Sequence, residues 1–219
     1  MAKSVILSPL NAILDDDAAT RAGWSVLDLG RAFLDGGATF LQLRAKQRSS
    51  AWLLETAEQL VTMARPSGAL VVVNDRADIA RLADAAGVHV GQDDIAPAAV
   101  RRLIGADRLV GFSTHSVAQV DEAVRQPIDY VAIGPVFGTT SKDTGYDAIG
   151  LTLVQEAAAR ARARGLPLVA IGGVTIERAA DVMRAGASSV AVISDLLATG
   201  DPRARVTQYL DKLRQIHGL

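Results

Sequence analysis

The feature that most limits what this chain can become is an eightfold alternation running from end to end. Short, continuous apolar runs rich in β-branched residues are followed by longer stretches rich in Ala, Leu, Arg and Glu. The runs read as strands are Val5–Leu7, Phe40–Leu43, Leu70–Val73, Val88–Val90, Leu109–Phe112, Tyr130–Ile133, Leu168–Ile171 and Ser189–Ile193. A strand apolar on both sides belongs to a parallel sheet covered on both faces. Helices are expected near 24–35, 49–65, 76–85, 97–104, 116–125, 149–164, 175–185 and 203–217. Val154 to Ala161 shows why: it holds strong helix formers with no Pro or Gly, and Gly165 and Pro167 stop the helix soon after. Ser116 and Thr175 stand where N-caps are needed. Eight strand–helix repeats within 219 residues specify one (β/α)8 barrel domain over 1–219. An open doubly wound sheet, the alternative, would carry a glycine-rich dinucleotide turn after its first strand. Ser8-Pro9-Leu10-Asn11 is not such a turn.

Charge and composition then narrow the partners. The formal net charge of −1 supplies no global field for nucleic acid or an anionic membrane. Any phosphate must be held by a few placed groups, so the expected partners are small phosphorylated molecules. With no cysteine, thiolate metal ligands, disulfides and a Cys nucleophile are excluded. His89, His115 and His217 lack metal-type spacing. The N-terminus soon meets Pro9 and the acidic run Asp15-Asp16-Asp17, too early for a secretory signal. No apolar run nears the ~18 residues of a membrane helix, so the expected compartment is the cytoplasm.

A barrel builds its active site at the C-terminal ends of its strands, and polar clusters stand there after nearly every run. Strand alternation puts Gln42, Arg44 and Lys46 on one side, two cations and an amide suited to a multiply charged anion; a solvated basic loop is the alternative. The third run ends in Asn74-Asp75-Arg76 and the fourth in Gly91-Gln92-Asp93-Asp94. Two carboxylates from adjacent strands, with substrate phosphate oxygens, suit Mg²⁺, and Asp94 as a helix cap is the plainer reading. Ser113 can donate to an anion or leaving group, while His115 reads as a packing or capping residue. His89 lies inside the fourth run, as fit for a ligand contact as for structure. The stretch 138–147, with Thr139, Thr140, Ser141, Lys142 and Thr144 among glycines, reads as an anion-gripping lid. Gly172-Gly173 after the seventh run and Ile193-Ser194 at the eighth stand where barrels often bind phosphate.

Seven short motifs in order resemble the thiamine phosphate synthase family. They are Gln-x-Arg-x-Lys at 42–46, Asn-Asp-Arg at 74–76, His-x-Gly-Gln-Asp-Asp at 89–94 and Gly-x-Ser-x-His at 111–115. Gly-Pro-Val-Phe-x-Thr-x-Ser-Lys at 134–142, Ile-Gly-Gly-Val at 171–174 and Val-Ile-Ser at 192–194 complete the set. The resemblance implies condensation of a hydroxymethylpyrimidine pyrophosphate with a thiazole phosphate, pyrophosphate leaving before the thiazole nitrogen attacks. It implies that Arg44, Lys46 and Lys142 hold the pyrophosphate and that Asp75 and Asp94 hold Mg²⁺. Gln42, Asn74 and Ser113 would orient the pyrimidine side and leaving group, with His89 a further substrate contact. Thr139, Ser141, Gly173, Ile193 and Ser194 would receive the thiazole phosphate. The chain departs from the family pattern at Ser141, often Thr, and in a first strand that lacks the expected Thr-Asp ending. A thiazole tautomerase of the same fold is the closest alternative. That group tends to carry His where Pro135 stands and to lose parts of the pyrophosphate and Mg²⁺ set. A non-catalytic phosphate-ligand sensor and a sugar-phosphate barrel enzyme are more distant alternatives.

Overall fold

The computed structural model describes residues 6–138 and 147–217. Eight strands pair in parallel and close into a barrel in chain order. They are β1 (Leu10–Asp15), β2 (Phe40–Arg44), β3 (Leu70–Asn74), β4 (Gly87–Val90), β5 (Leu109–Thr114), β6 (Tyr130–Ile133), β7 (Leu168–Ile171) and β8 (Ser189–Val192). The helices between and after them are α1 (Asp16–Arg21), α2 (Val26–Asp35), α3 (Ser50–Ala64), α4 (Ala77–Leu82), α5 (Pro97–Ile104), α6 (Val117–Ala123), α7 (Gly150–Arg162), α8 (Ile176–Arg184) and α9 (Pro202–His217).

Seven of the eight strands lie where the apolar runs predict. The first does not. Val5–Leu7 was expected as strand one, but Ile6 and Leu7 are not in a strand and Val5 lies outside the described residues. The strand that closes the barrel is Leu10–Asp15, whose Ala12–Asp15 faces Leu41–Arg44 and whose Leu10–Ala12 faces Val190–Val192. Its inward residues include Asn11 and Asp15, and these polar positions break the apolar run that marks the other strands. Leu7 instead packs into the inner cluster with Ile13, Phe40, Val72, Tyr130, Ala132, Val169 and Ala191. The corrected boundary also restores an acidic ending to β1, Leu14-Asp15. A short helix missing from the sequence reading, α1, follows at once. Asp15 is its N-cap, accepting from Ala18 N at 2.9 Å, and the acidic pair Asp16-Asp17 lies in its first turn, where the helix dipole favours negative charge.

Alternation along the strands separates two cores. Leu41, Leu43, Val71, Val73, Val88, Val90, Val131 and Ile133 face outward under the helices in the larger cluster. Most inward positions at the barrel floor are apolar, Asn11 and Ser189 excepted, and polar ones gather toward the C-terminal mouth. Ser116 caps α6 through Gln119 N as expected, whereas Thr175 occupies the cap position of α8 without a side-chain cap bond.

Candidate active site

Three adjacent strands carry one inward amide each, stepped along the register so that Gln42 stands opposite Ile13 and Val72 rather than opposite Asn11 or Asn74. Gln42 Nε2 donates to Asn74 Oδ1 at 2.9 Å, and Asn11 Nδ2 makes a longer contact of 3.5 Å to Gln42 Oε1. Gln42 and Asn74 are thus brought together as expected, and Asn11 is a third member that sequence reasoning missed. Asn11 is 1% exposed, and its Oδ1 has no hydrogen-bond partner among the described residues.

Arg44 reaches the same mouth but is already paired. Its guanidinium forms a salt bridge with Asp15, the residue opposite it in the β1–β2 register, and both side chains are largely buried. A guanidinium has five N–H donors, so one carboxylate oxygen does not exhaust it. Lys46 is nearly half exposed and lies 3.3 Å from an Asp75 carboxylate oxygen. Asp75 adopts the left-handed backbone region at φ 64°, uncommon for any residue with a side chain. That turn follows Asn74 directly, so the amide and the carboxylate both reach the mouth from adjacent positions.

The two acidic tips do meet. Asp94 lies within hydrogen-bonding reach of Asp75. Partial burial, then the neighbouring Asp94, raise the Asp75 carboxyl above its ordinary range, while Lys46 pulls it down. Asp94 is not a helix cap: its Oδ2 accepts Gly91 N–H at 2.7 Å, and α5 begins later, after Ala96. A pair of carboxylates held together at a rim, one of them partly desolvated, is the donor set that a hard divalent cation stabilises. Mg²⁺ needs few protein ligands beyond such a pair.

Ser113, on the far side of β4, is held from behind. His89 Nε2 lies 2.8 Å from Ser113 Oγ, and His89 Nδ1 lies 3.0 Å from the Tyr130 hydroxyl. Tyr130 is fully buried, and burial pushes its pKa up, so it remains a phenol. His89 therefore lies behind Ser113, in the wall of the barrel, rather than at the open mouth. The space comes from Gly111: a Cβ there would collide with the Tyr130 ring and with His89 Nδ1. Tyr130 was read only as a strand residue; its pairing with His89, 41 positions away, depends on barrel closure. His115 Nδ1 lies 2.6 Å from Gly134 O.

Opposite these groups, a cavity of about 260 Å³ opens between β5–β6 and β7–β8, lined among others by Ser113, Gly173, Ile193 and Ser194. Gly172 and Gly173 have φ of 102° and 61°, and a Cβ on Gly172 would lie 2.5 Å from the Pro135 Cα. The glycine pair is thus required by the turn itself. The same turn exposes backbone to the cavity. Thr139, Ser141 and Lys142 lie outside the described residues.

A closed parallel barrel whose polar side chains converge from several strands at the C-terminal mouth is the architecture of a (β/α)8-barrel enzyme. A family profile described as thiamine monophosphate synthase matches residues 10–196. The thiamine-phosphate synthase of Roseiflexus castenholzii is 44% identical over 191 residues, covering 87% of this chain and 82% of that protein. That of Koribacter versatilis is 40% identical over 215 residues, covering 97% and 99%. Among solved structures, the thiamine phosphate pyrophosphorylase of Pyrococcus furiosus superposes with a TM-score of 0.85 at 27% identity, covering 95% of this chain and 96% of that one. The chain belongs to the thiamine monophosphate synthase family. The tautomerase alternative finds no support among these relatives.

Proposed function

We propose that this chain joins hydroxymethylpyrimidine pyrophosphate to thiazole phosphate, giving thiamine phosphate and pyrophosphate. Beside family membership, one observation carries the reading. Lys46, Asp75 and Asp94 form a charged rim on strands two to four, directly beside the Gln42–Asn74 amide pair and across from the glycine-lined cavity. A pyrophosphate at the rim and a thiazole phosphate in the cavity would place the pyrimidine between them, over Gln42, Asn74 and Ser113.

In this reading Lys46 and Arg44 bind the pyrophosphate, Lys46 moving from Asp75 toward the incoming anion and Arg44 using donors that Asp15 leaves over. Lys142 is assigned to the same group and Thr139 and Ser141 to the thiazole phosphate, on sequence grounds. Asp75 and Asp94 would hold Mg²⁺, which when bound neutralises charge developing on the departing pyrophosphate. The pyrimidine methylene C–O bond breaks with its electron pair going to pyrophosphate. The thiazole nitrogen then forms the new C–N bond. The phenol of Tyr130 donates to His89 Nδ1, so Nε2 carries the ring proton and donates to Ser113 Oγ. Ser113 is left with its own O–H to give to the leaving group or the pyrimidine. Gly173, Ile193 and Ser194 receive the thiazole phosphate, with the cavity walls keeping water from the pyrimidine cation. No helix among the described residues is long and apolar enough to cross a membrane.

The test is pyrophosphate release with both substrates, with and without Mg²⁺. Mg²⁺-dependent release matched by thiamine phosphate, and lost in Asp75→Asn, is the expected result. Isomerisation of a thiazole carboxylate phosphate without pyrophosphate release would overturn the reading in favour of the tautomerase.

A further inference from the structure

Asp195 follows Ser194 immediately and lines the same cavity, yet its carboxylate is committed elsewhere. Its Oδ2 accepts Ile176 N–H at 3.2 Å, the first backbone donor of α8 and part of the segment that follows Gly172-Gly173. Arg205 Nη2 donates to the same oxygen at 2.8 Å, Arg205 Nε reaches both that oxygen and the Asp195 carbonyl at 3.2 Å, and the Tyr209 hydroxyl donates at 2.6 Å. Tyr209 also reaches the Val174 carbonyl at 3.3 Å. Asp195 and Arg205 are 13% and 12% exposed, and Tyr209 is fully buried. Thr175, at the cap position of α8, makes no side-chain cap bond. The cap comes instead from another strand's loop.

We propose that Asp195 is a positioning residue that fixes the distance between the two loops assigned to the thiazole phosphate, Gly172–Thr175 and Ile193–Ser194. The inference rests on that assignment. A phosphate gripped by N–H and O–H donors from two loops is bound well only if the loops stand at a fixed separation. Asp195 belongs to one loop through its backbone and to the other through Ile176. Arg205 and Tyr209, one turn apart on α9, hold the carboxylate from behind, and Arg205 cancels the charge that would otherwise repel a phosphate. The carboxylate also occupies the Ile176 N–H, which directs the anion toward Gly173 and Ser194 rather than onto the end of α8.

Asp195→Asn separates this role from a simple charge effect, because the two predict opposite signs. If Asp195 acted on phosphate only through its charge, removing that charge beside Arg205 would tighten binding. As a positioning residue, its loss loosens the loops and weakens binding. Inorganic phosphate titrated calorimetrically should bind about tenfold more weakly to Asp195→Asn. The KM for thiazole phosphate should rise by a similar factor, while kcat and the KM for the pyrimidine pyrophosphate change less than about twofold. Tyr209→Phe, which keeps the buried ring, should show the same pattern at about threefold and carries the test if Asp195→Asn does not fold. Unchanged or tighter phosphate binding, or equal loss toward both substrates, overturns the proposal, as does a wild-type protein that binds no phosphate. Phosphate binding without product formation would instead count against the proposed reaction and leave the role of Asp195 to be decided by the titration.

Discussion

Tyr130→Phe removes one oxygen from the floor of the barrel and tests whether Ser113 is held for chemistry. The ring should stay: it meets Phe40 edge-on at 5.8 Å between centroids and stacks on His89 at 5.4 Å, and neither contact needs the hydroxyl. What is lost is the hydroxyl 3.0 Å from His89 Nδ1, which in the proposed tautomer is that nitrogen's donor. Leaving a buried acceptor without its partner costs about 1–3 kcal/mol. In a domain of this size each kcal/mol moves Tm by roughly 2–4 °C, so a fall of roughly 2–12 °C is expected by thermal melting. The kinetic effect has a different origin. Without the phenol, either ring nitrogen of His89 can carry the proton, and in the wrong tautomer Nε2 accepts from Ser113 and withdraws the proton the substrate needs. Losing about 1.4 kcal/mol of transition-state stabilisation corresponds to about a tenfold fall in kcat. Pyrophosphate release at saturating substrates measures it, with Ser113→Ala as the lower bound. A variant that melts lower yet keeps kcat within about twofold of wild type would refute the tautomer argument and reduce Tyr130 to a packing residue.

Three further outcomes follow from the geometry. Asp75→Gly removes both a left-handed non-glycine residue at φ 64° and one member of a crowded carboxylate pair, so the metal-free protein should gain about 1 kcal/mol by denaturant titration while losing synthase turnover. Gly172→Ala puts a Cβ 2.5 Å from the Pro135 backbone at φ 102°. It should cost about 2 kcal/mol or more in stability and weaken thiazole phosphate binding, by melting and KM together. Arg101→Ala acts at the opposite end of the barrel. Its guanidinium pairs with Asp129 and donates to the Pro127, Gly105 and Arg108 carbonyls, so the variant should lose about 2–3 kcal/mol with kcat and both KM values unchanged.

How legible the sequence is depends on which way its residues face. β2 to β8 are readable because their outward residues are mostly Val, Ile and Leu, and enough inward residues are apolar too that the runs look continuous. β1 is not, because Asn11 and Asp15 interrupt the run while Val5-Ile6-Leu7 imitates a strand just upstream. A strand read at Val5–Leu7 falls about five residues early for that reason, and the acidic run at 15–17 holds two ion pairs, a cap and the first turn of α1. At the mouth, period-two alternation was enough to aim Gln42 and Arg44 inward, and adjacency of strands three and four was enough to bring Asp75 to Asp94. Neither consideration reaches Asp15 on Arg44, Tyr130 on His89, or Arg205 and Tyr209 on Asp195. The first follows from a β1–β2 register that a misplaced β1 hides, and the others join elements that meet only in the folded barrel.

The amide contacts across β1, β2 and β3 have a consequence for how this chain can change over generations. Each amide nitrogen points at the next amide's oxygen, from Asn11 to Gln42 to Asn74. The order has a direction, and an acid or a hydrocarbon at any one position leaves a neighbour facing the wrong kind of atom. Positions 11, 42 and 74 are therefore expected to be inherited as a unit. A substitution tolerated at one in a relative should be deleterious when transplanted alone and neutral when all three are moved together.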